Sequence, residues 1–170
     1  MKKLIFGLVI LGLTIQAYAQ EIQTEKLSEV VIAATNYKYL SKTGLENASV
    51  PVALLQQKVA SYDIKKADFY NDEYDSYVVS FYIPEGRILA AYDKDGNILR
   101  TVERFTDVTL PKEVYTSIAK QYPNWRFEKD VYLVNYHDSS GGKITKKYKI
   151  TLVNGNKRIK VKCDAEGNFL

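Results

Sequence analysis

The sequence predicts an α+β fold: a tandem repeat of a short helix plus an antiparallel β-meander, with the helices packed on one sheet face. Three observations lead there. Residues Asp164 to Leu170 repeat the pattern of Asp93 to Leu99, Asp-x-acid-Gly-Asn-apolar-Leu, 71 positions later. The same offset carries Tyr77 onto Tyr148, Val79 onto Ile150, Phe81 onto Leu152, Ile88 onto Ile159 and Ala90 onto Val161, as a duplicated unit would. Ser49-Val50-Pro51 and Thr109-Leu110-Pro111 both read as helix starts, a hydroxyl cap followed by Pro in the first turn. Finally, the chain holds 14 tyrosines against one Trp and one Met, and tyrosine favours strands and half-wet surfaces.

Residues 1–19 read as a secretory signal peptide. Lys2 and Lys3 precede the apolar run Leu4 to Ile15, which is short for a bilayer span, and Ala17-Tyr18-Ala19 supplies the small-x-small cleavage site. A retained membrane anchor is the competing reading. The mature chain is then expected to begin at Gln20, periplasmic or secreted, with no membrane span. Loss of Lys2 and Lys3 lowers the formal charge of +4 by two, which favours neither nucleic acid nor acidic lipid as partner. The single cysteine, Cys163, excludes an intramolecular disulfide. It shares a strand face with Ile159 and Val161, so a buried thiol is expected rather than a covalent dimer.

The elements follow in order. Residues 20–48 form an N-terminal segment with one strand, Leu27 to Ala34, where a β-branched run is bounded by polar residues. The first repeat spans 49–108. Its helix carries Leu55, Val59 and Tyr62 on one stripe, and strands follow at Tyr77 to Ile83, Arg87 to Tyr92 and Ile98 to Phe105. The acidic stretch Asp68 to Asp75 replaces a first strand with a short or irregular one. The second repeat spans 109–170, and its helix carries Val114, Ile118 and Tyr122. Trp125, Phe127, Val131 and Leu133 then alternate on one face of a strand that turns at Ser139-Ser140-Gly141-Gly142. Strands Lys146 to Val153 and Lys157 to Cys163 close the unit. Turns at Pro84-Glu85-Gly86, Asp95-Gly96, Asn154-Gly155-Asn156 and Glu166-Gly167 supply the residues that tolerate positive φ.

Strand parity sorts the faces. With Ile150, Leu152, Ile159, Val161 and Cys163 toward the helices, Lys147, Lys149, Lys160 and Lys162 face solvent, joined by Tyr82, Tyr132 and Tyr136. Those seven residues are the candidate partner-binding surface. Its bland alternative is a wet sheet face whose lysines discourage aggregation.

A Leu-Pro-x-x-Val helix with Tyr-Pro, a Tyr-x-Ile-x-Leu strand and then Asp-x-x-Gly-Asn-x-Leu resembles the PepSY-like, β-lactamase-inhibitor-like domains, which are secreted and common in Bacteroidetes. The likeness is closest over Thr109 to Leu170 and looser over Ser49 to Phe105. It implies a module that binds or inhibits another protein through its sheet face. The truncated first strand and the missing disulfides depart from the β-lactamase inhibitor itself. Leu27 to Ala34 resembles the Leu-x-Glu-Val-Val-Val stretch of Bacteroidetes outer-membrane receptors. That implies an alternative role, an outer-membrane accessory protein that lends this strand to another sheet.

Catalytic and metal patterns fare poorly. Asp93-x-Asp95-x-Asn97 invites a calcium loop, but Ile98 and Arg104 stand where Gly and Glu belong. Asp68, Asp72, Glu73 and Asp75 read as a solvated acidic loop. His137 is the only histidine, and neither a Gly-x-Ser-x-Gly motif nor an activated Cys accompanies it. The helix from Pro111 to Tyr122 reads as core-packing rather than membrane-surface. The sequence thus points away from an enzyme and calls for no cofactor or metal.

Overall fold

The computed structural model describes residues 36–170. The expected signal peptide, residues 1–19, and the expected strand Leu27 to Ala34 lie outside the described residues. Asn36 fastens the start of the described chain. Its Nδ2 donates to the carbonyls of Ala60 (3.1 Å) and Gly96 (3.0 Å), and its Oδ1 accepts from the Ile98 N–H at 2.8 Å.

Helix α1 (Tyr37–Thr43) follows directly and buries Tyr39 and Leu40. The sequence pattern does not mark this stretch as a helix, because seven residues show barely two turns of periodicity. Helix α2 (Val50–Ala60) buries Val52, Leu55, Gln56 and Val59. Helix α3 (Lys112–Gln121) buries Val114 and Ile118. The expected hydroxyl caps do not form. Ser49 precedes α2 with extended backbone, yet its hydroxyl is buried without a partner. Thr109 lies outside α3, whose flanking residue is Pro111.

Six strands form one antiparallel sheet in sequential order: β1 (Ser76–Ile83), β2 (Gly86–Asp93), β3 (Ile98–Thr106), β4 (Arg126–His137), β5 (Lys143–Asn154) and β6 (Lys157–Cys163). The β3–β4 pairing, from Arg100 opposite His137 to Thr106 opposite Val131, joins the two expected meanders into a continuous sheet. Helix α3 lies in the connection between those strands. The β4–β5 turn is a short helical segment, α4 (Ser139–Gly142). Asp68 to Asp75 is irregular, as expected, and is held by aromatics. Tyr70 stacks on Tyr77, whose hydroxyl donates to the Asn71 carbonyl. Beyond β6 only a bridge between Cys163 and Phe169 and a bond from Leu170 N–H to the Lys162 carbonyl remain of a further strand.

Helices α1 to α3 pack on one face over a single core that runs from Phe81 and Ile88 through Phe105, Tyr132 and Val134 to Ile150 and Cys163. Tyr132 and Tyr136 belong to this core, not to the outer face predicted for them: they are 5% and 1% exposed. The cause is a β-bulge. Phe127 pairs with Leu152 and Lys129 with Thr151, so Glu128 is an extra residue and the alternation slips by one. Phe127 therefore faces the helices, where it stacks on Tyr115, and so do Asp130, Tyr132, Val134 and Tyr136 farther along. Val131 and Leu133 turn outward instead of sharing the face of Trp125 and Phe127.

The repeated Asp turns have matching bonds. Asp93 Oδ1 accepts from the N–H groups of Asp95 (2.9 Å) and Asn97 (2.8 Å), and Oδ2 accepts from Asn97 Nδ2. Asp164 does the same with Glu166 (3.0 Å) and Asn168 (2.8 Å). Each carboxylate is turned into its own hairpin. The second turn also docks under α3: Gly167 has φ 85°, and a Cβ there would lie 2.8 Å from the Glu113 carbonyl oxygen.

Gly167→Ala should therefore cost more stability than Gly155→Ala. Gly155 also has positive φ, but a Cβ there meets open space. The shared backbone strain amounts to about 1 kcal/mol. Urea denaturation of both variants measures the added packing cost at Gly167, and equal losses would contradict it.

Candidate functional site

The strand register lays out the outward face as cross-strand rows. One row reads Tyr82, Arg87, Arg104, Leu133, Lys147 from β1 to β5. The next reads Ser80, Leu89, Val102, Asn135, Thr145. A third reads Val78, Ala91, Arg100, His137, Lys143. Toward the β6 edge, Val131, Lys149 and Lys162 align, and Lys129, Thr151 and Lys160 align beside them.

Tyr82, 67% exposed, lies on this face as predicted, and Lys147, Lys149, Lys160 and Lys162 are exposed there too. Tyr132 and Tyr136 are not brought to them. What the sequence reading missed is the β1–β4 half. Arg87, Leu89, Val102, Arg104 and Leu133 line a depression of about 470 Å³ with Ser80, Tyr82 and Asn135. A signal for part of it was present. The offset of 71 carries Leu89 onto Lys160 and Ala91 onto Lys162, so the face is apolar in one half where it is basic in the other.

Charge on this face is lopsided. Arg87 stands opposite Arg104 and Lys149 opposite Lys162, and like charges in direct cross-strand pairs destabilise a sheet. Among the described residues, two carboxylates occupy outward strand positions, and both are engaged. Asp93 is bound within its turn, and Glu128 accepts from Arg158 at 2.6 Å. Exposed pairs of the latter kind contribute little to stability.

Among the described residues, the inward face holds two buried carboxylates. Glu103, 1% exposed, accepts from Tyr39 Oη (2.7 Å) and Thr101 Oγ1 (2.7 Å) at Oε1, and from Gln56 Nε2 (2.8 Å) at Oε2. Burial raises its pKa, against those three bonds and the nearby Lys146 charge. Lys146 itself is pulled down by burial and donates to the Thr43 carbonyl at the end of α1. Asp130 is pushed up to about 6 by burial and by the neighbouring Asp107, against a bond from the Val108 N–H at 3.3 Å. The Thr101 and Tyr39 hydroxyls beside Glu103 both donate to its carboxylate, and all three side chains are closed to solvent. The hydrogen bonds of Glu103 and Asp130 tie α1, α2 and the connection after β3 to the sheet. His137 is exposed in the third outward row, between Arg100 and Lys143, and Cys163 is buried, its thiol pushed up to about 11 by burial. Among the described residues, no three of His, Cys, Asp or Glu converge, and no helix is long and apolar enough to cross a membrane. No protein family, curated protein or solved structure matches the chain.

Two predictions test the buried carboxylates. Glu103→Ala strands three donors and should destabilise the fold by about 3 kcal/mol or more. Glu103→Gln should retain most of that stability, because Gln56 Oε1 is buried without a donor and rotation of its amide lets it accept from the new side chain. Chemical denaturation ranks the two, and equal losses would contradict the assignment. For Asp130 the folded-state pKa lies above the ordinary 3.8. Its contribution is thus fully favourable below about pH 4 and is lost as pH rises through 6. Asp130→Asn should raise the Tm at pH 7.5, with the gain shrinking toward pH 4. A pH-independent difference would contradict it.

Proposed function

We propose that this chain is a non-enzymatic, periplasmic or secreted binding module that recognises a protein or peptide through its outward sheet face. We read it as a tandem repeat of the PepSY-like, β-lactamase-inhibitor-like kind. The matched hydrogen bonds of the Asp93 and Asp164 turns support the duplication.

One observation carries the binding reading. Among the described residues all three longer helices lie on one face of the sheet, while the other face exposes Val78, Tyr82, Leu89 and Val102 together. Sheets with a wet face normally alternate apolar-in with polar-out. Apolar and aromatic side chains gathered on the wet side, rimmed by cations, are the composition of a recognition surface. Lys147, Lys149, Lys160 and Lys162 form its basic flank, and Tyr82 its exposed aromatic. Tyr132 and Tyr136 have no part in it.

Immobilised protein should retain a specific partner from an envelope extract. Tyr82→Ala combined with Leu89→Ser should lose that partner. Tyr115→Ala, an exposed aromatic on the helix side, should keep it. The Tyr82 and Leu89 substitutions should each shift stability by about 0.5 kcal/mol or less, and Tyr115→Ala by about 1 kcal/mol through its lost stack on Phe127, checked by thermal melts. Undiminished capture by the sheet-face variant would refute the reading.

A further inference from the structure

We propose that the groove across β1 to β4 takes an extended segment of a partner protein in which acidic and apolar side chains alternate, acid-x-apolar-x-acid. This rests on the reading of the outward face as a binding surface and names the chemistry of its partner.

The argument starts from spacing. Successive outward rows are two residues apart along each strand, about 7 Å. Side chains on one side of an extended peptide recur at that same distance, so a segment lying along the strands places every second side chain on consecutive rows. The first row offers Arg87 opposite Arg104. Their Cβ atoms are about 5 Å apart, and two planar guanidinium groups so placed can share one carboxylate. The second row offers Leu89 opposite Val102, an aliphatic floor. The third returns to a cation, Arg100, beside Ala91. The order is cation, apolar, cation, and its complement is acid, apolar, acid.

Charge supports the same occupant. Among the described residues none of these three arginines joins an ion pair. A cross-strand Arg pair repels itself until an anion lies between its members. The floor also selects between anions. Sugars and nucleobases seek flat aromatic faces, and here Leu89, Val102 and Leu133 are aliphatic, with Tyr82 only at the β1 end of its row. A polypeptide with aliphatic side chains fits better than a polysaccharide or nucleic acid.

Fluorescence anisotropy with a labelled peptide of sequence Glu-Ser-Leu-Ser-Glu, capped at both ends, tests the proposal on the mature protein. Its Gln-Ser-Leu-Ser-Gln counterpart serves as the uncharged twin, and heparin serves as a competing polyanion. The Glu peptide should bind at least about tenfold more tightly than its twin, with affinity falling as salt rises. Arg87→Gln with Arg104→Gln should remove about tenfold or more, and Arg87→Lys with Arg104→Lys should recover only part of it. Lys120→Gln, exposed in the last turn of α3 on the helix side, should change little. Thermal melts verify that each variant is folded. Equal binding of both peptides, an unaffected arginine variant, or heparin bound with neither peptide bound would each overturn the inference. Equal binding that Tyr82→Ala weakens leaves the sheet face as the binding surface with the wrong chemistry assigned. Loss of both peptides together with Tyr82-independent capture removes both readings.

Discussion

A carboxylate buried at the centre of the sheet governs how this molecule is assembled. Glu103 sits on β3 between Ile88 and Val134 of the flanking strands, and leaving its charge unpaired there would cost several kcal/mol. Its three donors come from different places: Tyr39 from α1, Gln56 from α2 and Thr101 from β3 itself. Satisfying one residue therefore docks two helices at a defined position on the sheet. Tyr39 adds an edge-on contact with Tyr136, and Asn36 ties the same corner to the end of α2 and the β2–β3 turn. Apolar burial supplies most of the driving force, but it is non-directional. The hydrogen bonds to Glu103 and from Asn36 provide the direction.

Because the helices are committed to that side, the opposite face is open among the described residues, and its character follows strand by strand. The β1–β3 half carries Val78, Leu89 and Val102, whereas the β5–β6 half carries lysines in register. An arginine pair lies within the apolar half. Such a face is a poor compromise for stability alone, since like charges oppose each other and apolar surface stays wet. A partner bearing carboxylates on an extended backbone would remove both faults at once, which is why the binding reading and its chemical refinement rest on the same surface.

Much of the fold was legible from local pattern. The strands from Ser76 to Thr106 and from Lys143 to Cys163 lie within a few residues of their expected ends, since Gly and Asn turns punctuate them; alternation breaks once there, where Leu99 is an extra residue opposite the Ala91–Tyr92 step. Helices α2 and α3 were legible from their apolar stripes. Two things were not. Helix α1 is too short to show a period, and it is held by Tyr39 reaching Glu103, a contact 64 positions away. The faces of β4 were misread because one extra residue, Glu128, inverts the parity of everything after it. A bulge has no reliable signature in one strand read alone, since it exists only relative to the partner strand.

The amino-acid sequence by itself determined the α+β class, the order of helices and strands from Val50 onward, the hairpin turns built on Asp93 and Asp164, and the outward placement of Tyr82 and the four lysines. Each of these depends on residues near one another in the chain: periodicity, turn chemistry, a carboxylate bonding the N–H groups two and four positions on. Tertiary structure alone decided that the strands form one sheet, that Tyr132 and Tyr136 are core, that Glu103 is buried with three donors, and that Arg87 faces Arg104. Those outcomes depend on which strand lies beside which and in what register, a relation between distant segments set by the energy of the whole packed core.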